Sequence, residues 1–201
     1  MKAIGIYGGS FDPIHLGHLL LAETAREELA LEQVIFVPAA QSPLKKHRPY
    51  INDADRVELI KLAIRENPGF TLSEVELKRK PPSYTVDTLN FFRQAYPDHA
   101  LFLLMGQDSL NTLTGWHRFE QLFTLATLAV GVRPGFPAQV PPALEAFRAP
   151  SAQSKGIVFF HNPEVAISSS AIRERLRLGK SVRYWLEPQV LKYILANKLY
   201  T

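Results

Sequence analysis

Two histidines, His15 and His18, stand three residues apart and so share one face of a helical turn. Just before them runs Gly8-Gly9-Ser10-Phe11-Asp12-Pro13, joining a short apolar run to a helix-like segment. Glycines let the backbone approach a ligand closely, and a helix start offers free N–H groups and partial positive charge. Each imidazole adds a side-chain donor. The combination is an anion site, suited to phosphate. It is not a P-loop, since no Gly-x-x-x-x-Gly-Lys occurs, nor a dinucleotide fingerprint, since no Gly-x-Gly-x-x-Gly occurs. Two glycines after a strand are ordinarily a tight turn, and a single histidine is ordinarily a surface or packed residue. Both features together, at the ligand end of a first strand, favour function. Zinc held by His15 and His18 is the weaker reading. His47, His99, His117 and His161 show no partner spacing, and the chain has no cysteine. That lack also excludes a thiol nucleophile and a disulfide scaffold.

Further positions carry candidate chemistry. Ser168-Ser169-Ser170 precedes a helix and reads as an N-cap, worth ~1 kcal/mol; beside Arg173 the same helix start is also a second phosphate site. Ser83-Tyr84-Thr85 opens a helix after Pro81-Pro82 and reads either as a cap or as a carboxylate pocket. Backbone N–H groups and the Thr85 hydroxyl suit a carboxylate better than a carboxamide, whose NH₂ needs an acceptor. Gly106 and Asp108 follow a strand, where Asp108 reads as a helix N-cap or a nucleotide contact. Arg133 ends another strand, as a phosphate ligand or a loop ion pair, and Trp116 alone reads as core.

Hydrophobic periodicity supplies the elements that must position these groups. Strands are expected at 3–7, 34–37, 70–77, 101–105, 126–132 and 157–160, and helices at 16–30, 53–66, 85–95, 116–125, 170–178 and 188–197. In the first helix Leu16, Leu19, Leu20 and Leu29 are expected to face the core. The alternation predicts an α/β fold, a Rossmann-like doubly wound parallel sheet with a C-terminal helical extension over about 168–201. The Pro-rich stretch 133–150 reads as a surface excursion.

At 201 residues the chain fits one domain spanning 1–201. Its formal charge is +4, yet residues 1–132 hold 13 basic and 15 acidic side chains, whereas 133–201 hold 10 and 4. The excess therefore sits in the last third, and hints at an anionic partner. Of those residues Arg175, Arg177, Lys180 and Arg183 read as a solvated face. No apolar run approaches the ~20 residues of a membrane span, and no signal peptide is recognisable; a cytoplasmic location is expected.

In order along nearly the whole chain, the segments resemble bacterial nicotinate-nucleotide adenylyltransferases, within the His-x-Gly-His nucleotidyltransferase superfamily. Gly8–His18 matches that family's Gly-Gly-(Ser/Thr)-Phe-Asp-Pro-x-His-x-Gly-His without a gap. Pro82–Leu89, Gly106-Gln107-Asp108-Ser109-Leu110 with Trp116-His117, Arg133-Pro134-Gly135 and Ile167–Arg173 match its later blocks, and the likeness continues to Leu199-Tyr200. Ser42-Pro43-Leu44-Lys45 departs from the Pro-Pro-His-Lys of many relatives, though Lys45 keeps its place.

The resemblance implies transfer of the adenylyl group of ATP to nicotinate mononucleotide, releasing pyrophosphate, without a covalent enzyme intermediate. It implies that Gly8, Gly9, Ser10, Phe11, His15, His18, Gly106, Asp108, Ile167, Ser168, Ser169, Ser170 and Arg173 bind ATP. His15, His18 and Arg173 carry the catalysis. Ser10, Lys45, Ser83, Tyr84, Thr85, Trp116 and Arg133 take the mononucleotide, with Trp116 stacked on the pyridine. Magnesium is expected with ATP, without a protein ligand named. Neither nucleic acid nor membrane is an expected partner, and homo-oligomerisation is left open. The rivals are a related adenylyltransferase for nicotinamide mononucleotide or phosphopantetheine, and a nucleic-acid-binding module prompted by the sequence pI.

Overall fold

The apolar runs form six parallel strands: β1 (Ala3–Gly9), β2 (Gln33–Pro38), β3 (Phe70–Leu72), β4 (Ala100–Gly106), β5 (Thr127–Val132) and β6 (Ile157–His161). The computed structural model describes residues 2–41, 48–132, 138–152, 154–163 and 165–201. The sheet order is β3-β2-β1-β4-β5-β6. Order reverses between β1 and β4, the switch point where doubly wound sheets bind ligands beyond their carboxyl ends.

Side chains alternate so that both faces are buried, as parallel sheets require. Ala3 and Tyr7 of β1, with Val34 and Phe36 of β2, join one apolar cluster. Ile4, Ile6, Ile35 and Val37 join the other. The first cluster is completed by α1 (Leu16–Glu28), α2 (Asp53–Ile64), α6 (Ser169–Arg177) and α7 (Pro188–Ala196). The second takes α3 (Thr85–Ala95), α4 (Gln107–Asn111) and α5 (Phe119–Leu125). The expected C-terminal helical extension is thus α6 and α7, packed on the face that holds α1 and α2.

The structure departs from the expected elements at four places. β3 stops at Leu72, and Val75 and Leu77 lie in turns, because Glu76 turns inward to Thr88 and breaks the alternation. The helix expected from Trp116 starts at Phe119, after Arg118 adopts a left-handed φ of 51°. Helix α1 buries Leu21, Ala22 and Ala25, with Leu19 and Leu29 packed partly buried against the same cluster as expected, while Leu20 stays 37% exposed. Residues Pro142–Phe147 form a 3-10 helix within the stretch read as an excursion, and Leu144 there is fully buried.

Candidate active site

Strand β1 ends in Gly8-Gly9, and the two glycines face different surroundings. A Cβ on Gly9 would lie 2.9 Å from the Phe11 ring, whereas one on Gly8 would meet nothing within 4 Å and would project into open space. That space is a cavity of about 360 Å³ at the β1–β4 switch point, within the range of small-molecule sites. Gly8, Gly9, Ser10, Phe11, His18, Ser83, Tyr84, Thr85, Gly106 and Trp116 all line it. Phe11 contributes packing: its ring is 2% exposed and meets Tyr7 and His18 edge-on, at centroid distances of 5.5 and 5.1 Å.

The two histidines sit at the start of α1, with His15 as its N-cap. Their rings stack at 3.7 Å between centroids, 24° apart. Gly17 makes room for this pair, since a Cβ there would press the His15 ring at 3.1 Å. The backbone N–H of His15 donates to Nδ1 of His18 at 3.2 Å. An accepting Nδ1 leaves the proton on Nε2, so a neutral His18 carries its donor on the other side of the ring. His15 is buried, and burial lowers its pKa from 6.5 to about 4, against the opposing pull of a backbone hydrogen bond. It is therefore a neutral imidazole at physiological pH.

Arg173 reaches this end from α6. Its Nη1 donates to the carbonyl of Asp12 at 2.6 Å, and its Nη2 to Ser170 Oγ at 3.1 Å. The guanidinium carbon lies 4.2 Å from the centre of the Tyr50 ring, a cation–π distance. Ser168 caps α6 by accepting from the Ala171 N–H at 3.2 Å, so the cap reading holds there. Ser169 Oγ donates to the Pro13 carbonyl at 2.9 Å, which ties the start of α6 to the loop before α1. Ile167 is half-buried against the first core cluster.

The opposite end is organised by α3. Its N-cap is Tyr84, with no side-chain cap, so the first N–H groups of the helix have no local side-chain acceptor. Ser83 is not the cap that its type suggests. Its Oγ accepts from the Ala40 N–H at 3.1 Å and its N–H donates to the Gln41 carbonyl at 3.0 Å, fixing the helix start to the end of β2. Trp116 is half-buried, and its Nε1 has no hydrogen-bond partner. Asp108 is exposed on the first turn of α4, outside the cavity lining, and Gly106 takes the N-cap position there. Lys45 and Arg133 lie outside the described residues, as does most of the 38–48 loop.

Among the lining residues that sequence reading missed are His117, Thr88 and Glu76. The His117 ring lies 4.2 Å from that of Tyr84 between centroids, tilted by 31°. Thr88 donates to Glu76 at 2.6 Å. Glu76 is 6% exposed, and burial raises its carboxyl pKa despite bonds from Thr88 and Ser83 and the charges of Arg79 and Arg56. His117 follows Trp116 in one family-matched segment and Thr88 lies in another, so their position is a usable signal. Glu76 sits among exposed charges in the sequence and gave none.

Among the described residues no group of three His, Cys, Asp or Glu side chains could hold a metal, and no helix is long and apolar enough to cross a membrane. The exposed basic residues behave as a solvated face. Arg177 pairs with Glu174, and Lys180 and Arg183 are exposed, while Arg175 packs over the Trp185 ring at 4.9 Å.

Comparison with known proteins bears on what this site does. The cytidylyltransferase-like family model matches residues 6–175. A probable nicotinate-nucleotide adenylyltransferase of Thermus thermophilus is 44% identical over 98% of this chain and 98% of its own length. The nicotinate-nucleotide adenylyltransferase of Bacillus subtilis is 38% identical over 100% of this chain and 99% of its own. Among solved structures, the Plasmodium falciparum nicotinic acid mononucleotide adenylyltransferase complexed with NaAD superposes with a TM-score of 0.79 at 19% identity, covering 100% of this chain and 98% of that one. At that identity the likeness speaks for the fold.

Proposed function

The chain belongs to the nicotinate-nucleotide adenylyltransferase family, and on that premise we propose how its residues carry out adenylyl transfer from ATP to nicotinate mononucleotide in NAD biosynthesis. A phosphate oxygen of the mononucleotide attacks the α-phosphorus of ATP in line. The bond to the β-phosphate breaks, and pyrophosphate leaves. No protein nucleophile is needed, so the chain contributes position and charge stabilisation.

One observation carries the assignment of ends. The cavity has His18, with the neutral His15 ring stacked on it, and glycine backbone at one side, and an uncapped helix start beside an aromatic residue at the other. Gly8, Gly9, Ser10 and Phe11 backbone would face phosphate, and His15 and His18 would donate to ATP. Arg173 and the α6 start would meet the β- and γ-phosphates, hence the leaving pyrophosphate. Asp108, next to the cavity-lining Ser109, would serve ribose or adenosine, with Gly106 and Ile167 on the same side. At the far end Tyr84 and Thr85 would receive the nicotinate carboxylate, Ser83 would hold that turn in place, and Trp116 would stack on the ring. Lys45 and Arg133 would add charge for the mononucleotide phosphate.

Magnesium would travel with ATP and neutralise phosphate charge. Asp12, the buried carboxylate beside the histidines, has Oδ1 and Oδ2 engaged by Tyr200 and Tyr50. The ion would then be held by phosphate and water, as such ions commonly are. A cytoplasmic site of action is part of the same proposal.

Steady-state pyrophosphate release with ATP and either nicotinate or nicotinamide mononucleotide tests the reading. Turnover with nicotinate is expected, with kcat/KM at least about tenfold lower for the amide, because its NH₂ would face donors. Equal values would overturn the carboxylate pocket, and no turnover with either would overturn the function.

A further inference from the structure

Asp12 is 5% exposed, and every acceptor atom it owns is taken by a different part of the chain. Its Oδ1 accepts from the Tyr200 hydroxyl at 2.8 Å, across 188 residues. Its Oδ2 accepts from the Tyr50 N–H at 2.8 Å. Its carbonyl accepts from Arg173, and Tyr50 lies under the same guanidinium. Two residues earlier, the fully buried Arg56 donates to the Ser10 carbonyl at 2.8 Å. The short loop between Gly9 and His15 is therefore held at Asp12 by two side chains and one backbone N–H, and Tyr200 supplies the bond from farthest away.

Tyr200 reaches Asp12 by adopting φ +65°, after Lys198 at φ +51°. Bulky L-residues rarely occupy this backbone region, and they persist there only where surrounding contacts impose it. Burial, the Asp12 charge and the bond to Asp12 all raise the phenol pKa, with Arg173 and Arg56 opposing, so the hydroxyl stays a donor.

We infer that Tyr200 is a positioning residue for adenylyl transfer: through Asp12 it fixes the Ser10–His15 loop and the Arg173 guanidinium relative to each other. The inference rests on the proposed function, since it is the phosphate end that Asp12 braces. Tyr200 does not line the cavity, so its effect is exerted through Asp12 alone. Removing the hydroxyl leaves Asp12 Oδ1 buried without its donor, and the loop shifts to compensate.

A matched control exists in the same helical extension. Tyr193 Oη donates to Asp55 Oδ1 at 2.9 Å, joining α7 to α2 without touching the loop. Tyr200→Phe and Tyr193→Phe are compared by melting temperature and by steady-state kinetics well below melting. Tyr200→Phe is expected to lower kcat roughly tenfold while KM for nicotinate mononucleotide stays within about twofold, since small misplacements of reacting groups are costly. Tyr193→Phe is expected to leave kcat unchanged. Wild-type kcat in Tyr200→Phe, or an equal loss in both variants, overturns the inference. Wild-type protein without turnover overturns the functional reading instead, so the two failures are distinct.

Discussion

The two ends of the cavity are built on different principles. At the phosphate end, His18 is restrained by the His15 backbone, Arg173 by Asp12 and Tyr50, and Ser10 by Arg56, although the buried Nδ1 of His15 has no hydrogen-bond partner. At the pyridine end, donors are left open: the start of α3 has no side-chain cap, and Trp116 Nε1 has no partner. Restraint suits a region that must hold charge in place as bonds change, since preorganised donors cost no reorganisation during reaction. Open donors suit a region that has only to recognise a ring and its carboxylate. The contrast predicts that kcat is set at one end and KM at the other.

The largest expected effect falls at the restrained end. His18→Ala should lower kcat by about 10²–10³, the loss associated with one transition-state donor, with KM for nicotinate mononucleotide little changed. Near-normal turnover would remove His18 from the chemistry, and a change confined to KM would erase the contrast between ends.

Restraint at that end also has a pH signature. His15 is neutral when folded, with a pKa near 4, and takes up a proton near 6.5 when unfolded. Below pH 6.5 the unfolded chain binds more protons, so stability falls as pH drops from 6.5 toward 4. The loss from His15 reaches about 3 kcal/mol, and denaturant titrations at stepped pH should show it. His15→Gln should flatten that slope; an unchanged slope would show that His15 is not buried as a neutral ring.

The smallest effect belongs to the open end. Trp116→Ala should raise KM for nicotinate mononucleotide roughly ten- to a hundredfold, on the scale of a lost base–aromatic stack, and leave kcat near wild type. If kcat falls as far as in His18→Ala, the two ends are not separable.

The sequence made the sheet and the contiguous pieces of the cavity legible. Glycines after β1, histidines at helical spacing and a serine-rich helix start are local signals, and the structure brings Gly8, His18, Thr85 and Trp116 to one cavity. What stayed hidden depends on distant pairing. Glu76 looks like a solvated charge until Thr88 is folded against it, and Arg56 looks like a helix-surface cation until Ser10 lies over it. Asp108 shows the converse: a residue in a matched block whose carboxylate the fold leaves exposed outside the cavity lining. Helix α4 and the 3-10 helix at 142–147 were too short for periodicity to reveal.

The Asp12 bonds also set an order of events during synthesis. The loop from Gly9 to His15 leaves the ribosome early, but its partners Arg173 and Tyr200 are encoded 161 and 188 residues later. At roughly 5–20 residues per second, the loop waits about 10–40 seconds for its last brace. A nascent or truncated chain can complete much of the sheet and still lack a set phosphate site. Competence to turn over ATP then becomes a report that the chain has been made at least as far as Tyr200.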